Sequence, residues 1–391
     1  METNPRPRPR LILVTTVPET MATILVGQPG HLAKYFDVSL IASPGALVAR
    51  VEQQEGLAVK AVSMERGIHP VKDLVSVWRM WRTLRRQRPD VVHSYTPKAG
   101  LVVMLSAWLC RVPIRVHTFT GLIFPTATGL KQRILIWVDR LICACATHVV
   151  PEGVGVQKDL ERYRITDKPL RVIGHGNIAG VNTKYFDPEA AGVSEEAVAL
   201  KQRLGIASDA VVFCFVGRLN RDKGVAELYA AFSTLPEQVH LLLVGGVDAS
   251  APISKELQAA IENHSRVHAV GFMDDIRPAL SLANVLVLPS YREGFPNVVL
   301  QAGAMALPVI ATDISGCNEV VEPGLNGWLV PPRDAPALTD AMQDALRAPG
   351  KVRKEMGLRA RERVQLWFEQ QQHWQRMVLF YQGLLGAQHR D

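Results

Sequence analysis

At 391 residues the chain is long enough for about two domains. With 48% hydrophobic and 21% charged residues its composition is that of a globular protein, which excludes a wholly disordered chain, and Gly and Pro without a period exclude collagen-like arrays. The net charge of +7 is uneven: residues 1–190 carry 25 Lys/Arg against 15 Asp/Glu and residues 191–391 carry 19 against 22, so only the first half is suited to an anionic surface.

The opening stretch METNPRPRPR is charged and has no long apolar region behind it, so no secretory leader is expected. Short apolar, β-branched runs then alternate with helical patterns. LILVTTV (11–17), DVSLIAS (37–43), LAVKAVS (57–63), DVVHSY (90–95), IRVHTFT (114–120), THVVP (147–151) and LRVIGHG (170–176) read as strands, with helices over 71–88, 97–110 and 128–144. The runs are continuously apolar, as when both faces of a parallel sheet are covered. This predicts one doubly wound α/β unit.

The helix over 71–87 carries Leu74, Trp78, Trp81 and Leu84 on one side and Arg79, Arg82 and Arg86 elsewhere, and KQRILIWVDRLI (131–142) repeats the theme. Such basic amphipathic stripes suit an anionic membrane surface, or simply pack on a sheet with the arginines solvated. The longest apolar runs, such as LVVMLSAWLC (101–110), fall short of the roughly 18 residues that span a bilayer. No nucleic-acid motif is present, and none is expected to be bound.

A stretch at about 177–208 reads as a linker. The pattern then restarts with strands at 211–217, 239–246, 267–272, 283–290 and 307–313 and helices at about 223–234, 251–263, 275–282 and 297–305, giving a second α/β unit. From about 335 the tail is helical, ending in WFEQQQHWQRMVLFYQGLL, read as one amphipathic helix with Trp367, Trp374, Leu379 and Phe380. The expected division is residues 1–190, residues 191–370 and a terminal helix over 371–391. Ligands of such sheets bind beyond the strand C-terminal ends. Cys110, Cys143, Cys145, Cys214 and Cys317 are odd in number, without a CxxC pair, which reads as unpaired thiols in a reducing compartment.

Two clusters carry chemistry. In GRLNRDKG (217–224) a strand runs into Gly217 and Arg218, and Lys223 opens a helix, so that cations and helix N–H groups together suit an anion. In LPSYREGFPNVVLQAGAM (288–305) a strand ends in a tight loop with Glu293 and Gly294, and a helix starts near Asn297. Pro296 has no N–H, so the amides of Asn297 and Val298 are the ones that could hold a phosphate. Glu293 beside an anion site reads as a ligand of sugar hydroxyls, or as a helix-start carboxylate.

The spacing GRL…KG, a strand, then EGFP…Q…G…P.I.TD…G..E.V..G.NG.LV resembles the family-4 glycosyltransferases of the GT-B fold, over almost the whole chain. That resemblance implies two Rossmann-like α/β domains facing each other across a cleft, the first binding the acceptor and the second the donor, with the C-terminal helix crossing back. The second cluster is most similar to bacterial capsule and O-antigen transferases, including the type that adds N-acetylgalactosamine to diacetylbacillosaminyl-diphospho-undecaprenol. The implied reaction is retaining transfer of a hexose or N-acetylhexosamine from a UDP-sugar to a lipid-linked saccharide in capsule or lipopolysaccharide assembly. No cofactor is implied beyond the donor itself.

Residue by residue, the resemblance matches Arg218 and Lys223 to the diphosphate-binding pair, Glu293 to the first Glu of the E-x7-E motif, and Gly294, Phe295, Asn297 and Val298 to the loop holding the distal phosphate. It matches Gly271, Phe272 and Met273 to the segment that meets the base, and Gly245 and Gly246 to a strand-end glycine turn; Gly217, before Arg218, is counted with the donor-binding residues. Two positions depart from the family. The second Glu is Gln301, which accepts through its carbonyl and donates through its amide. The N-domain His of the family falls on Thr120 of HTFTG; His117, three residues earlier, lies on the opposite face of an extended strand. His93 and Lys98, at a strand-to-helix junction, are further candidates for the acceptor or donor sugar. No DxD and no His/Asp ligand cluster is present, so metal-independent catalysis is expected, at the inner surface of the cell membrane. A nucleotide-sugar 2-epimerase or a non-catalytic nucleotide-sugar-binding protein of the same fold are the other readings.

Overall fold

The computed structural model describes residues 8–65, 67, 69–248 and 251–388. Residues 1–7, on which the expectation about a leader rests, and residues 389–391 of the terminal segment lie outside them. The chain forms two compact units: residues 1–180 together with 371–391, and residues 181–370.

In the first unit β1 (Arg10–Val14), β2 (Asp37–Ala42), β3 (Val59–Ala61), β4 (Val91–Ser94), β5 (Ile114–Phe119) and β6 (His148–Pro151) form a parallel sheet in the order β3-β2-β1-β4-β5-β6. Alternate residues feed opposite layers. Ile12, Val14 and Val92 join one cluster with the helices Pro70–Gln87, Pro97–Leu109 and Gly129–Cys145; Leu11, Leu13 and Val91 join another. Met377, Val378, Phe380 and Tyr381 of the terminal helix complete that second cluster. The helix therefore belongs to the core of the first unit.

In the second unit β7 (Val211–Val216), β8 (Val239–Val244), β9 (Val267–Gly271), β10 (Val285–Leu288), β11 (Val309–Thr312) and β12 (Gly327–Val330) form a parallel sheet in the order β12-β11-β10-β7-β8-β9. Phe213 and Phe215 point into one cluster and Val212 and Cys214 into the other. Both sheets reverse direction of growth at one place, between β1 and β4 and between β7 and β10. At such a switch point the neighbouring loops diverge and leave a crevice.

Several expectations are corrected. LRVIGHG is not a strand; only Leu170 bridges to Val149, and Gly174 and Gly176 take left-handed φ values of 63° and 97° that an extended ladder excludes. The expected linker contains the helix Val193–Arg203, whose Val193, Ala197 and Leu200 are buried at helical spacing, and it belongs to the second unit. The chain passes between units at Gly180–Val181 rather than at residue 190. β12 was not foreseen as a strand, being short and opening on glycine.

The tail after 350 is two helices, Gly350–Trp367 and Gln370–Gln388. Val181 interrupts them, its N–H donating to the Phe368 carbonyl (2.8 Å) and its carbonyl accepting from the Gln370 N–H (3.0 Å). In the Pro70–Gln87 helix the expected stripe splits. Val77, Met80 and Leu84 face the core, whereas Val71, Leu74, Val75 and Trp78 face outward, Leu74 71% and Trp78 54% exposed.

Candidate active site

The two chemistry-bearing clusters follow β7 and β10, the strands that flank the switch point of the second unit. Beyond the strand ends the backbone stays paired. Gly217 N–H donates to the Val244 carbonyl (2.9 Å), Leu219 N–H to that of Gly246 (2.9 Å), and Gly245 N–H to that of Gly271 (2.7 Å). Gly245 has φ 134°, and a Cβ there would sit inside the Gly217 carbonyl oxygen. Arg218, 63% exposed at its side chain, is anchored by Nη1 donating to Asp248 Oδ2 at 2.5 Å. The same carboxylate oxygen accepts from Asn220 Nδ2 at 3.1 Å.

Lys223 does not open an α-helix as expected. It closes a 3-10 turn, Arg221–Lys223, capped by Asn220 Oδ1, which accepts from the Lys223 N–H (3.0 Å). The helix Val225–Phe232 begins after Gly224, whose φ of 67° and tight approach to the Pro289 carbonyl require glycine. That approach brings the two loops together. Lys223 Nζ donates to Glu293 Oε1 at 2.5 Å, with side chains only 22% and 13% exposed.

Three further contacts tie the loops in register. Arg292 pairs with Asp222 (3.0 Å), Tyr291 N–H donates to the Asp222 carbonyl (2.8 Å), and Tyr291 O–H donates to Glu227 Oε1 (2.6 Å). The Arg333 guanidinium lies 4.7 Å over the Tyr291 ring. Consecutive residues of one loop, Asp222 and Lys223, thus meet consecutive residues of the other, Arg292 and Glu293, with alternating charge. Sequence reasoning missed Asp222, Arg292, Tyr291, Glu227 and Asp248. Their only signal was polarity in strand-end loops and, for Glu227, in the first turn of the following helix.

The helix Asn297–Ala304 starts after Pro296, a few residues beyond Glu293, and the Val299 N–H of its first turn donates to the Pro296 carbonyl (3.0 Å). Phe295 turns its ring into the core, 5.4 Å from that of Phe368, so only its backbone is available to a ligand. Gly316, at φ 80°, packs directly on the Gly294 carbonyl and leaves no room for a Cβ. Next to it the Cys317 thiol is fully buried; burial first, and the Glu293 charge second, push it well above the ordinary thiol range. It is therefore a neutral floor beneath the loop. Gln301 is half-buried one turn into the helix. Gly271, the last residue of β9, takes φ 73°; beyond it Phe272 is 76% exposed, and Met273 packs against the layer of Val212 and Cys214. Among the described residues no group of three or more His, Cys, Asp or Glu side chains is placed to hold a metal ion.

The first-unit candidates are held differently. His93 is fully buried, with Nδ1 2.6 Å from Tyr381 Oη, Nε2 2.7 Å from Thr118 Oγ1, and its ring stacked on Tyr95 at 4.1 Å. Both nitrogens are engaged, which suits a structural group. Lys98 Nζ lies 2.7 Å from both carboxylate oxygens of Asp73 at 11% side-chain exposure, so it is neither a solvated lysine nor an open phosphate ligand. His117 is fully buried; its Nδ1 meets Ser94 Oγ at 2.8 Å, and burial lowers its pKa to about 3. Thr120 Oγ1 donates to the Tyr95 carbonyl (2.9 Å) and is half-buried just past β5. His117 and Thr120 are not interchangeable, because one is sealed in the sheet and the other lies at its C-terminal edge.

Residues 210–348 match the family model described as "Glycosyl transferases group 1", and residues 30–176 match that of a "Glycosyl transferase 4-like domain". The chain is similar to the capsular polysaccharide biosynthesis glycosyltransferase CapM of Staphylococcus aureus, at 27% identity over 90% of this chain and 91% of that one. It is similar to the UDP-Gal:alpha-D-GlcNAc-diphosphoundecaprenol alpha-1,3-galactosyltransferase of Escherichia coli (25%; 78% and 79%). It is also similar to the alpha-maltose-1-phosphate synthase of Mycolicibacterium smegmatis (32%; 70% and 73%). Among solved structures, HepE of Anabaena in complex with UDP-glucose shares the fold, with a TM-score of 0.79 at 17% identity over 96% of this chain and 99% of that one.

Proposed function

The chain belongs to the group 1, family-4 glycosyltransferases of the GT-B type, and from that premise we propose that it is a retaining, metal-independent transferase. It moves a hexose or N-acetylhexosamine from a UDP-sugar to an undecaprenyl-diphosphate-linked saccharide in surface polysaccharide assembly, and needs no cofactor. The observation that carries the reading is the Lys223–Glu293 pair, which joins the loops after β7 and β10 at the switch point, with Arg218 on the same β7 loop as Lys223. Breaking a sugar–phosphate bond leaves a diphosphate whose growing charge needs preorganised cations and N–H donors. Arg218, Lys223 and the first-turn amides of the Asn297–Ala304 helix supply them. Glu293, a carboxylate beside these cations, accepts hydroxyls of the transferred sugar. Retention follows the course implied for the family, with the departing diphosphate as base on the face it leaves. The Escherichia coli relative is named for a UDP-sugar donor and a diphosphoundecaprenol acceptor, which supports both substrate classes.

An acceptor of that kind resides in a membrane. Among the described residues no helix is long and apolar enough to cross one. The helices Pro70–Gln87, Pro97–Leu109 and Gly129–Cys145 lie side by side and leave Leu74, Trp78, Trp108, Leu130 and Trp137 exposed, interspersed with exposed Arg79, Arg82, Lys131 and Arg133. This supports attachment at the inner surface of the cell membrane through interfacial tryptophans and anionic headgroups.

The test incubates purified protein with bacterial membrane lipids and individual radiolabelled UDP- and GDP-sugars in the presence of chelator. Label from one UDP-sugar is expected in the butanol-extracted lipid. Glu293→Ala is expected to abolish transfer while remaining folded at the assay temperature, though less stable for the loss of its Lys223 pair; full turnover in that variant removes Glu293 from the mechanism. A donor recovered with its sugar epimerised at C2 and no labelled lipid would overturn the transferase reading in favour of an epimerase.

A further inference from the structure

The two cations of the donor site are both paired with carboxylates, and the two pairs differ in kind. Arg218 is 63% exposed, and Asp248 accepts from one of its five N–H groups, so the guanidinium can meet a diphosphate while keeping Asp248. Lys223 is a single ammonium held at 2.5 Å from Glu293 Oε1, and both side chains are largely out of water. The pair is set by its frame, since Asp222–Arg292, Tyr291–Glu227 and the Gly224–Pro289 approach keep the loops in register. A diphosphate that takes Lys223 therefore leaves the Glu293 carboxylate half-buried beside incoming negative charge. That position is unfavourable unless new donors reach the carboxylate.

Building on the donor site proposed above, we propose that Glu293 is the resting counter-ion of Lys223 and makes diphosphate capture depend on a sugar. Hydroxyls of the hexose donate to Glu293 and compensate it for losing Lys223, so sugar and diphosphate bind with positive coupling. A nucleoside diphosphate without its sugar has no such donors and must compete with Glu293 for the lysine. The spent nucleotide is consequently the weaker ligand, which limits product inhibition at this site.

Calorimetric titration of the full chain with UDP, and in parallel with inorganic pyrophosphate, tests this in four proteins: the parent, Glu293→Gln, Lys223→Gln and the double variant. Glu293→Gln is expected to bind UDP about fivefold more tightly than the parent, the scale of one released ion pair. The gain is expected to be smaller in the Lys223→Gln background, where only charge repulsion, and no competition for the lysine, is relieved. A structural role for Glu293 would instead weaken binding. Should the Gln variant fail to fold, Glu293→Asp withdraws the carboxylate by one methylene and must shift affinity in the same direction. Unchanged or weaker binding of both probes by a folded Glu293 variant overturns the counter-ion role. A Lys223-dependent gain for pyrophosphate, with UDP bound by none of the proteins, preserves the counter-ion role and overturns the nucleotide reading instead.

Discussion

Gly245 shows how much of the site depends on single residues. Its backbone passes so close to the Gly217 carbonyl that no Cβ fits, and the contact fixes where Arg218 leaves the sheet. Gly245→Ala is expected to lower stability by about 2 kcal/mol, within the range for overpacked sites, and to weaken UDP binding alongside. A thermal melt together with a UDP titration checks it.

His117 offers a different single-residue outcome. Burial holds it neutral, with a pKa lowered to about 3 from 6.5, and His373 is lowered to about 4 by the same cause, with the Arg376 charge second. Because the unfolded chain takes up these protons first, the stabilisation is complete above pH 6.5 and is lost as pH falls from there towards 3. The contribution of His117, read as the difference in stability between the parent and His117→Asn, is expected to be flat above neutrality and to shrink through pH 6 to 4, by an amount on the order of a few kcal/mol. In His117→Asn the slope should be shallower. At this scale the sequence singled out Arg218, Lys223 and Glu293 as candidates, because their residue types and spacing suit the chemistry. It did not reveal that Lys98 is neutralised by Asp73, since the two partners lie 25 positions apart in the chain.

At the scale of the element, the Pro70–Gln87 helix shows the limit of periodicity. Leu74, Trp78 and Leu84 share a helical stripe in sequence, yet the neighbouring helix Pro97–Leu109 covers only part of it. Leu84→Ala is expected to cost about 2–5 kcal/mol, because it empties a filled core position. A Leu74→Ser/Trp78→Ser pair should change stability by no more than about 0.5 kcal/mol per site while reducing capture by phosphatidylglycerol vesicles. Denaturant melts and vesicle sedimentation separate the two effects. Strands were read well where both faces are apolar, as in Val211–Val216, and badly where they were short or glycine-bounded, as in Gly327–Val330. LRVIGHG has a strand's composition, but its glycines adopt left-handed φ, a choice made by the surroundings. Arg376 packs against one of them, Gly174.

For the whole molecule, the decisive feature is that the first unit is completed by the last helix. Tyr381 hydrogen-bonds to His93, and Met377, Val378 and Phe380 fill the layer under β1. A chain ending at Gln370 is expected to lose cooperative unfolding of the first unit, whereas the second, residues 181–370, keeps its own transition. Hydrogen exchange resolved by segment reads this directly. Composition and strand periodicity determined by themselves that the chain is a two-unit parallel α/β protein, and its motifs carried the resemblance to the glycosyltransferases, because those signals are local. Which carboxylate neutralises which cation, which side of a helix meets water, and which unit the last helix completes were decided only by tertiary structure. Each depends on partners distant in sequence, and only packing and register bring them within reach.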